Sequence, residues 1–345
     1  MRSLTVLRTG PQALVQDAGR PGFAHLGVPP SGAVDLPALA MANALVGNPA
    51  GAAGIEAVLG GVVLRASCPC TIAVTGAPAR VRLGSARHGA AGGTGEGLTD
   101  LDFATAIQLS PGDELRVGTP RAALRCYLAV SGGLAVPVEL GSRSTDVLSG
   151  IGPPPLSAGQ VLPLGDATPS ISTHAAPPAH AAAVTPSAPA TPDTSGTPGT
   201  PDAPAAHAAS PAHHAAATPS TPGTPDAPAH GDGVRLPVLL GPRDDWFADA
   251  AEQLTAGEWT VSPTSNRIGV RLDGTKLRRR HDGELPTEPV VTGAVQVPPS
   301  GEPVIFLNDH PTTGGYPVIA VVHPDALPLL AQARPGSPVR LRPSM

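Results

Sequence analysis

The sequence is poor in aromatic residues, in cysteine and in lysine. Its 345 residues include Trp 2, Tyr 2, Phe 4 and Cys 3, and the one lysine is Lys276. Three cysteines are too few for a disulfide framework, and no stretch approaches the roughly 20 apolar residues of a membrane span. The first residues form no sustained apolar run of the kind seen in signal peptides. We therefore expect a cytoplasmic protein with no membrane contact.

The charge balance and the absence of several catalytic motifs exclude several classes of function. With Lys+Arg 22 and Asp+Glu 27, the net charge is −5, so the basic surface expected of a nucleic-acid binder is lacking. The sequence contains no Walker A loop, no Gly-x-Ser-x-Gly and no His-Glu-x-x-His. Cys68 and Cys70 have no second Cys/His pair at ligand spacing, so we expect no metal site. If ATP is used, a P-loop does not hold it.

Residues 167–233 differ in composition from the rest of the chain. These 67 residues contain 14 prolines and no Lys, Arg, Leu, Phe, Trp, Tyr, Met or Cys. The octapeptide TPGTPDAP occurs in it twice, at 197–204 and 221–228. Burial of so little apolar surface does not offset the ordering cost of roughly 1–2 kcal/mol per residue. We predict a disordered Ala/Pro/Thr/His-rich linker between two halves, 1–166 and 234–345.

Both halves have the pattern of short strands bounded by Gly or Pro, which favours a mainly β fold of barrels or sandwiches. Examples are 71–74, 124–130 and 304–307. Helices are few, and the clearest begins at Asp35 as N-cap, runs through 36–46 and ends at Gly47. Shorter helices are expected at 246–254 and 325–332.

Polar clusters in Gly-rich loops are the candidates for chemistry, because catalytic groups are often displayed on such loops. They lie at 16–22, 141–146, 265–269 and 308–317. An arginine in three of these clusters can grip a carboxylate or phosphate in bidentate fashion. The simpler alternative for each arginine is an ion pair within its loop, as between Arg143 and Asp146.

Two further residues allow a functional and a structural interpretation. Asn43 falls on the buried stripe of the first helix, where a core amide bonded to nearby backbone is the usual finding. His310 has the pKa range of a general base, but a solvent-facing loop histidine is the simpler interpretation.

Several strings, in order, resemble the family of biotin-dependent carboxyltransferases and 5-oxoprolinase C subunits, also called the KipA group or allophanate hydrolase subunit 2. The resemblance covers residues 4–166 and 234–343. The strings are 15–20 (VQDAGR), 42–48 (ANALVGN), 127–133 (YLAVSGG), 140–146 (LGSRSTD), 265–267 (SNR), 293–298 (GAVQVP) and 312–317 (TTGGYP).

The resemblance implies two linked cyclophilin-like β-barrel subdomains and an enzyme that works only with partners. The implied reaction is ATP-dependent hydrolysis of 5-oxoproline to glutamate, together with a KipI-type partner and a LamB/YcsF-type partner. ATP is then bound mainly by the partner. A lactam becomes a better electrophile when its oxygen is phosphorylated, and positive donors stabilise the charge that develops during attack by water.

The resemblance also implies the candidate site residues. As catalytic residues we expect Arg20, Arg143, Arg267 and Asp309, with Asp309 as general base. As substrate-binding residues we expect Asn43, Asn266, Gln296, Thr312, Thr313 and Tyr316.

Two alternative functions remain open at this point. One is the carboxyltransferase module of a urea-carboxylase-like system, in which a partner carries the biotin because this chain has no Met-Lys-Met site. The other is a non-enzymatic KipA-like regulatory protein that binds a KipI-type inhibitor of a sensor kinase.

Overall fold

The computed structural model describes residues 2–85, 98–166, 233–281, 283 and 285–344. The predicted linker at 167–233 lies, except for Gly233, outside the described residues. The two halves on either side of it belong to one compact unit. Mainly β architecture with a few short helices is confirmed, and no helix among the described residues is long and apolar enough to cross a bilayer.

The first half consists of two antiparallel sheets that share one apolar core. The strand order is β11-β1-β4-β9-β6-β7 in one sheet and β2-β3-β10-β5-β8 in the other. Inward-facing residues such as Leu64 of the first sheet and Leu128 of the second belong to the same buried cluster. The strands are β1 Ser3–Thr9, β2 Gln12–Gln16, β3 Gly54–Val58, β4 Val62–Ala66, β5 Cys70–Gly76, β6 Val81–Gly84, β7 Leu98–Leu101, β8 Ile107–Leu109, β9 Glu114–Val117, β10 Arg125–Val130 and β11 Val161–Pro163.

The second half is a closed barrel in which hydrogen bonds run around the whole ring. Its strand order is β12-β19-β16-β17-β14-β13-β20, and β15 pairs with β18 outside the ring. Among the described strands, only this half forms such a closed ring. The two sheets of the first half pack against each other through the side chains of their shared core. The strands are β12 Val234–Leu240, β13 Trp259–Val261, β14 Gly269–Gly274, β15 Glu288–Pro289, β16 Ala294–Gln296, β17 Val304–Phe306, β18 Thr313–Gly314, β19 Val318–Val322 and β20 Pro338–Pro343.

The predicted helices are present; each is shorter than expected, and the second is shifted towards the C-terminus. The first, α1, spans Leu36–Leu45, and the Asp35 side chain accepts the Ala38 N–H as its N-cap. Gly47 follows the helix with φ +76°, a left-handed conformation that glycine adopts without strain. The predicted helices at 246–254 and 325–332 are α2 Ala250–Ala256 and α3 Leu327–Ala331, each preceded by a short 3-10 turn, Asp244–Trp246 and Pro324–Ala326. A further 3-10 turn lies at Ala24–Leu26.

The loop between β2 and α1 joins the first half to the second. The backbone N–H of Ser31 donates to the Asn308 carbonyl at 2.9 Å. The Asn308 side chain returns N–H donors to the carbonyls of Ser31 and Ala33, each at 3.1 Å. Val34 is buried in the apolar core of the second half. The candidate loops of both halves are therefore brought to one junction.

Candidate functional site

Several of the candidate residues fall into two clusters with different surroundings. The first, here called the junction cluster, consists of the buried side chains Glu56, Arg267 and Asp309 between the halves. The second, here called the outer-face cluster, lies on the outside of the C-terminal barrel. Its members are Gln296, His310, Thr312, Thr313 and Tyr316.

Arg267 is the centre of the junction cluster. Its side chain is 1% exposed, and its Nε and Nη2 donate to the two carboxylate oxygens of Asp309, both at 2.9 Å. Nη1 donates to Glu56 Oε1 at 2.7 Å, and Nη2 also donates to the Gly32 carbonyl at 2.7 Å. Burial opposes the charged form, but the two carboxylates outweigh it and raise the pKa of Arg267. Each nitrogen of the guanidinium thus donates to a group of the protein.

Both carboxylate oxygens of Asp309 also accept hydrogen bonds from the protein. The carboxylate is 0% exposed, and besides Arg267 it accepts the Ser31 hydroxyl at 3.0 Å and the Val147 N–H at 3.1 Å. Through these bonds Asp309 contacts Arg267 of the second half, Ser31 of the loop between β2 and α1, and the 141–147 loop at Val147.

Glu56 connects this pair to the first half. Its Oε2 accepts the Tyr127 hydroxyl at 2.8 Å and the Val34 N–H at 3.1 Å, and Arg125 lies 3.4 Å from Oε1. Burial acts to raise the pKa of Glu56, but the charges of Arg267 and Arg125 hold it below its usual value. Burial and the nearby carboxylates raise the pKa of Tyr127, so its hydroxyl stays protonated and donates.

Asp17 links the loops at 16–22 and 141–146. Its carboxylate accepts the hydroxyls of Ser142 and Ser144 at 2.6 and 2.5 Å, and the backbone N–H of Arg143 at 2.6 Å. The Gly19 N–H adds a fourth bond at 2.8 Å. These contacts explain the glycine two residues after Asp17 and the serines at 142 and 144, because small residues must fit around one buried carboxylate.

Arg20 and Arg143, which lie in these two loops, differ in burial and in hydrogen-bond partners. Arg20 is 1% exposed; its Nη2 donates to the Ser144 carbonyl, and its enclosed Nη1 has no partner among the described residues. Arg143 is half-buried, and its Nε donates to the Val136 carbonyl at 2.9 Å. The expected Arg143–Asp146 ion pair is not formed: Asp146 instead accepts the N–H groups of Leu148 and Ser149.

Asn43 has the structural role that its helix position suggested. Its Nδ2 donates to the carbonyls of Ala50 and Ala52 at 3.1 and 2.8 Å, and its Oδ1 accepts from Asn48 at 3.0 Å. It is 0% exposed. With these bonds it holds the loop after α1, and the structure does not bring it to the outer-face cluster.

Asn266 is exposed, and its Oδ1 accepts the backbone N–H groups of Ile268 and Gly269 at 2.8 and 3.3 Å. It shapes the turn before β14 and thereby sets the direction of the neighbouring Arg267.

The outer-face cluster is held by few internal hydrogen bonds. Gln296 is 7% exposed, and its Nε2 donates to the Tyr316 carbonyl at 3.1 Å. The Thr312 carbonyl accepts the Val290 N–H at 3.0 Å, and Thr313 is exposed on β18. Four of the predicted substrate-binding residues, Gln296, Thr312, Thr313 and Tyr316, are therefore brought together.

His310 was expected to face solvent, and this was wrong. Its side chain is 3% exposed and stacks on Phe306, with ring centroids 5.7 Å apart. The Nδ1 lies 2.7 Å from the Pro311 carbonyl, which only accepts, so Nδ1 carries a proton. Burial lowers the pKa of His310, which favours a neutral ring whose Nε2 keeps its lone pair.

Glu56 of the junction cluster and Tyr127, which donates to it, were not among the expected site residues. The available signal was a glutamate inside the apolar strand β3 (GIEAV), because a charged residue in such a run needs a buried partner. Within the described residues, no group of three or more His, Cys, Asp or Glu side chains is arranged to hold a metal ion.

Comparison with known proteins identifies the class of protein. The sequence matches the family described as "Carboxyltransferase domain, subdomain A and B" over residues 26–343. The chain belongs to this carboxyltransferase-domain family.

Three relatives show how the family members differ in size. The chain is 32% identical to the 5-oxoprolinase C subunit of Escherichia coli, over 97% of this chain and 89% of the relative. It is 28% identical to the 5-oxoprolinase C subunit of Haemophilus influenzae, over 98% of this chain and 90% of the relative. The crystal structure of the Kluyveromyces lactis urea amidolyase matches with TM-score 0.74 and 28% identity, over 99% of this chain and 19% of that chain.

Proposed function

We propose that this chain is the C subunit of an ATP-dependent 5-oxoprolinase, which opens the lactam of 5-oxoproline to glutamate. The observation that carries the proposal is the match to the 5-oxoprolinase C subunit of Escherichia coli, which spans 97% of this chain and 89% of the relative. Because the match spans most of that relative, the role of the relative is proposed for this chain as a whole and not for a short segment of it.

The geometry supports a division of roles among the candidate residues. The outer-face cluster supplies amide and hydroxyl groups for substrate binding. The outer-face cluster is linked to the loop that carries Arg143. The Asp309 carboxylate accepts the Val147 N–H at the end of that loop, and His310 of the cluster follows Asp309 in the sequence. Arg20, with its unpartnered Nη1, and the half-buried Arg143 are the donors proposed to stabilise developing negative charge. Arg267 and Asp309 position these loops.

The activity is proposed to require partner proteins. A KipI-type partner and a LamB/YcsF-type partner are those expected for a cytoplasmic 5-oxoprolinase, and ATP is bound mainly by a partner. The guanidinium of Arg267 is already committed to two carboxylates, which supports placing the phosphates elsewhere.

The test is reconstitution of the complex. This chain is purified with the KipI-type partner, the LamB/YcsF-type partner is added, and glutamate and ADP are measured from 5-oxoproline and ATP. Coupled formation of both products that stops when this chain is omitted supports the proposal. A stable complex that turns over no 5-oxoproline contradicts it.

Carboxyl transfer is the second candidate, favoured by the TM-score of 0.74 with the Kluyveromyces lactis urea amidolyase. In this role the chain would transfer a carboxyl group from a carboxybiotin on a partner to a urea-like amide. The same preparation is therefore assayed with urea and a carboxylated biotin carrier. Allophanate formation selects carboxyl transfer, and binding of the KipI-type partner with neither turnover selects the regulatory role.

A further inference from the structure

The two sheets of the first half differ in what covers their outer faces. Helix α1 packs on the outer face of the five-stranded sheet, where Ala42 and Val46 of the helix share a buried cluster with Ala129 of β10. No described helix packs in this way on the six-stranded sheet β11-β1-β4-β9-β6-β7. The described elements therefore leave the outer face of the six-stranded sheet open, and its own side chains decide what it can contact.

Four arginines lie on this open face. Side chains alternate between the two faces of a strand, and Leu64, Leu115 and Val81 point inwards, into the core of the first half. The residues beside them in the sequence, and those opposite these on the next strand, therefore point outwards. The charged residues of this set, here called the arginine face, are Arg8, Arg65, Arg82, Asp100, Glu114 and Arg116.

Cross-strand pairing brings three of the arginines into one row. Arg82 of β6 lies directly opposite Arg116 of β9. Arg116 lies opposite Val63 of β4, and Val63 in turn lies opposite Arg8 of β1. Like charges directly opposite each other are unfavourable for a sheet. The stability of the sheet therefore does not account for this row of arginines.

Glu114 is shared between two arginines of the face. Its Oε1 lies 2.7 Å from Arg65, and its Oε2 lies 3.1 Å from Arg116. The Arg65 side chain is 51% exposed, so this pair is open to water and to a partner. One carboxylate balances only one of the two guanidinium charges.

Asp100 does not balance the remaining charge. It lies opposite Arg82, but both of its oxygens accept from Arg80, just before β6, at 2.7 and 2.6 Å. Arg82 makes no side-chain hydrogen bond or ion pair within the described part of the chain. The strands of the arginine face thus carry four arginines and two carboxylates, on a chain whose net charge is −5.

The face also carries apolar groups. Val161 of β11 lies opposite Thr5, which lies opposite Arg65, and Val161 is 58% exposed. Val63 points outwards among the arginines and is only 8% exposed, as expected where apolar arginine stems cover a surface. Arginine together with apolar groups is typical of protein–protein interfaces. The interspersed carboxylates disfavour a polyphosphate backbone as the occupant.

We propose that the arginine face is the surface on which the KipI-type partner docks, through a region of that partner rich in Asp and Glu. Guanidinium groups bind carboxylates in bidentate fashion. A partner carboxylate placed between Arg82 and Arg116 turns an unfavourable pair into two favourable ones. The proposal rests on the proposed function, because it names where this chain would join its complex.

The experiment measures association and dissociation rates of the full chain with the KipI-type partner by surface plasmon resonance. Wild-type binding should weaken between about 50 and about 500 mM NaCl, because salt screens exposed charges. Arg8→Glu and Arg82→Glu should each weaken binding at low salt about tenfold, mainly through slower association. Arg235→Glu is the matched control and should bind like wild type, because it makes the same charge change opposite another arginine, Arg340, in the second half.

A thermal melt separates docking from folding. The glutamate of Arg82→Glu lies opposite Arg116 and replaces a like-charge pair with an opposite-charge pair. The Tm of this variant should therefore stay at or above that of wild type while its binding falls. A drop in Tm that parallels the loss of binding would overturn the assignment of this residue to docking.

The outcomes also separate this surface from the proposed function. Wild-type affinity in the Arg8→Glu/Arg82→Glu double variant overturns the docking surface, and glutamate formation by that variant leaves the function standing. A wild-type chain that forms no complex, or one that binds independently of salt, overturns the surface as well. Binding that the variants weaken supports it even if no glutamate forms, in which case the proposed function alone fails. Polyuridylate binding that the variants abolish, with partner binding unchanged, assigns the face to nucleic acid and overturns the proposal.

Discussion

Replacement of Arg267 with methionine removes the one cation that, among the described residues, contacts both Glu56 and Asp309. The substitution keeps an unbranched apolar chain of similar length and deletes the guanidinium. Glu56 then retains Arg125 at 3.4 Å, whereas Asp309 loses both of its 2.9 Å charge-assisted bonds. The variant therefore buries a carboxylate with only the Ser31 hydroxyl and the Val147 N–H as partners in the described structure.

The expected cost follows from this burial. Removing one partner of a buried ion pair typically destabilises a protein by about 3–5 kcal/mol, because the remaining charge is uncompensated. We expect the free energy of unfolding of Arg267→Met to fall by about that amount at pH 7. The loss should exceed that of Arg267→Lys, which keeps a charge but not the bidentate geometry.

The pH dependence of stability tests the electrostatic contribution of these charges to the free energy of unfolding. In the wild type, the pKa of Glu56 is lowered, so its contribution to stability is present above the unfolded pKa and is lost as the pH falls through the folded value. In Arg267→Met, Glu56 loses the larger of the two positive charges that lower its pKa and becomes easier to protonate. The difference in stability between wild type and variant should therefore shrink between pH 7 and about pH 4.5.

The assay is urea unfolding followed by two probes. Far-UV circular dichroism reports on both halves, and tryptophan fluorescence reports on the second half, where Trp246 and Trp259 lie. Coincident transitions are expected for the wild type and separated ones for Arg267→Met, whose halves have lost their ionic link. Arg235→Met, at an exposed position of β12, is the matched control. A loss of less than about 1 kcal/mol at pH 7, with coincident transitions, would refute the reasoning.

Three further predictions concern single groups. Tyr127→Phe removes the hydroxyl that donates to Glu56 and should cost about 1–3 kcal/mol of unfolding free energy in urea titrations; an unchanged midpoint would contradict this. Gly314→Ala places a Cβ against Gln296 and should lower kcat/KM for 5-oxoproline about tenfold or more with little change in Tm, whereas Gly315→Ala, in ordinary contact, should leave both near wild type. Wild-type stability should fall as the pH drops below about 4.5, because Glu56 then takes up a proton in the unfolded chain more readily than in the folded one; a flat Tm between about pH 4.5 and pH 3 would argue against the buried ion pair.

Much of the local structure was predictable because its causes are local. Asp35 as N-cap and Gly47 after the helix act over one turn of backbone, and both are found as expected. Short strands between Gly and Pro turns are likewise confirmed at Cys70–Gly76, Arg125–Val130 and Val304–Phe306. The buried position of Asn43 followed from helical spacing alone.

The environment of each candidate side chain was not predictable in the same way. Arg267 and Asp309 were expected to be catalytic, yet they meet Glu56, which is 211 residues before Arg267 in the sequence. His310 was expected in solvent, but it is buried and stacks on Phe306. Such outcomes depend on contacts between distant segments, which residue spacing does not encode.

By itself the sequence determined the mainly β class, the helix ends, the family strings and the loops that carry polar residues, since these follow from backbone propensity and short-range pattern. The tertiary structure decided which polar groups are already paired and which are free. The junction cluster is paired because packing of the halves buries Glu56 and Asp309 against Arg267, with Arg125 as the second cation beside Glu56. The outer-face cluster makes few hydrogen bonds among the described residues, because its neighbours include the buried apolar side chains of Val290, Ala294, Phe306 and Val318.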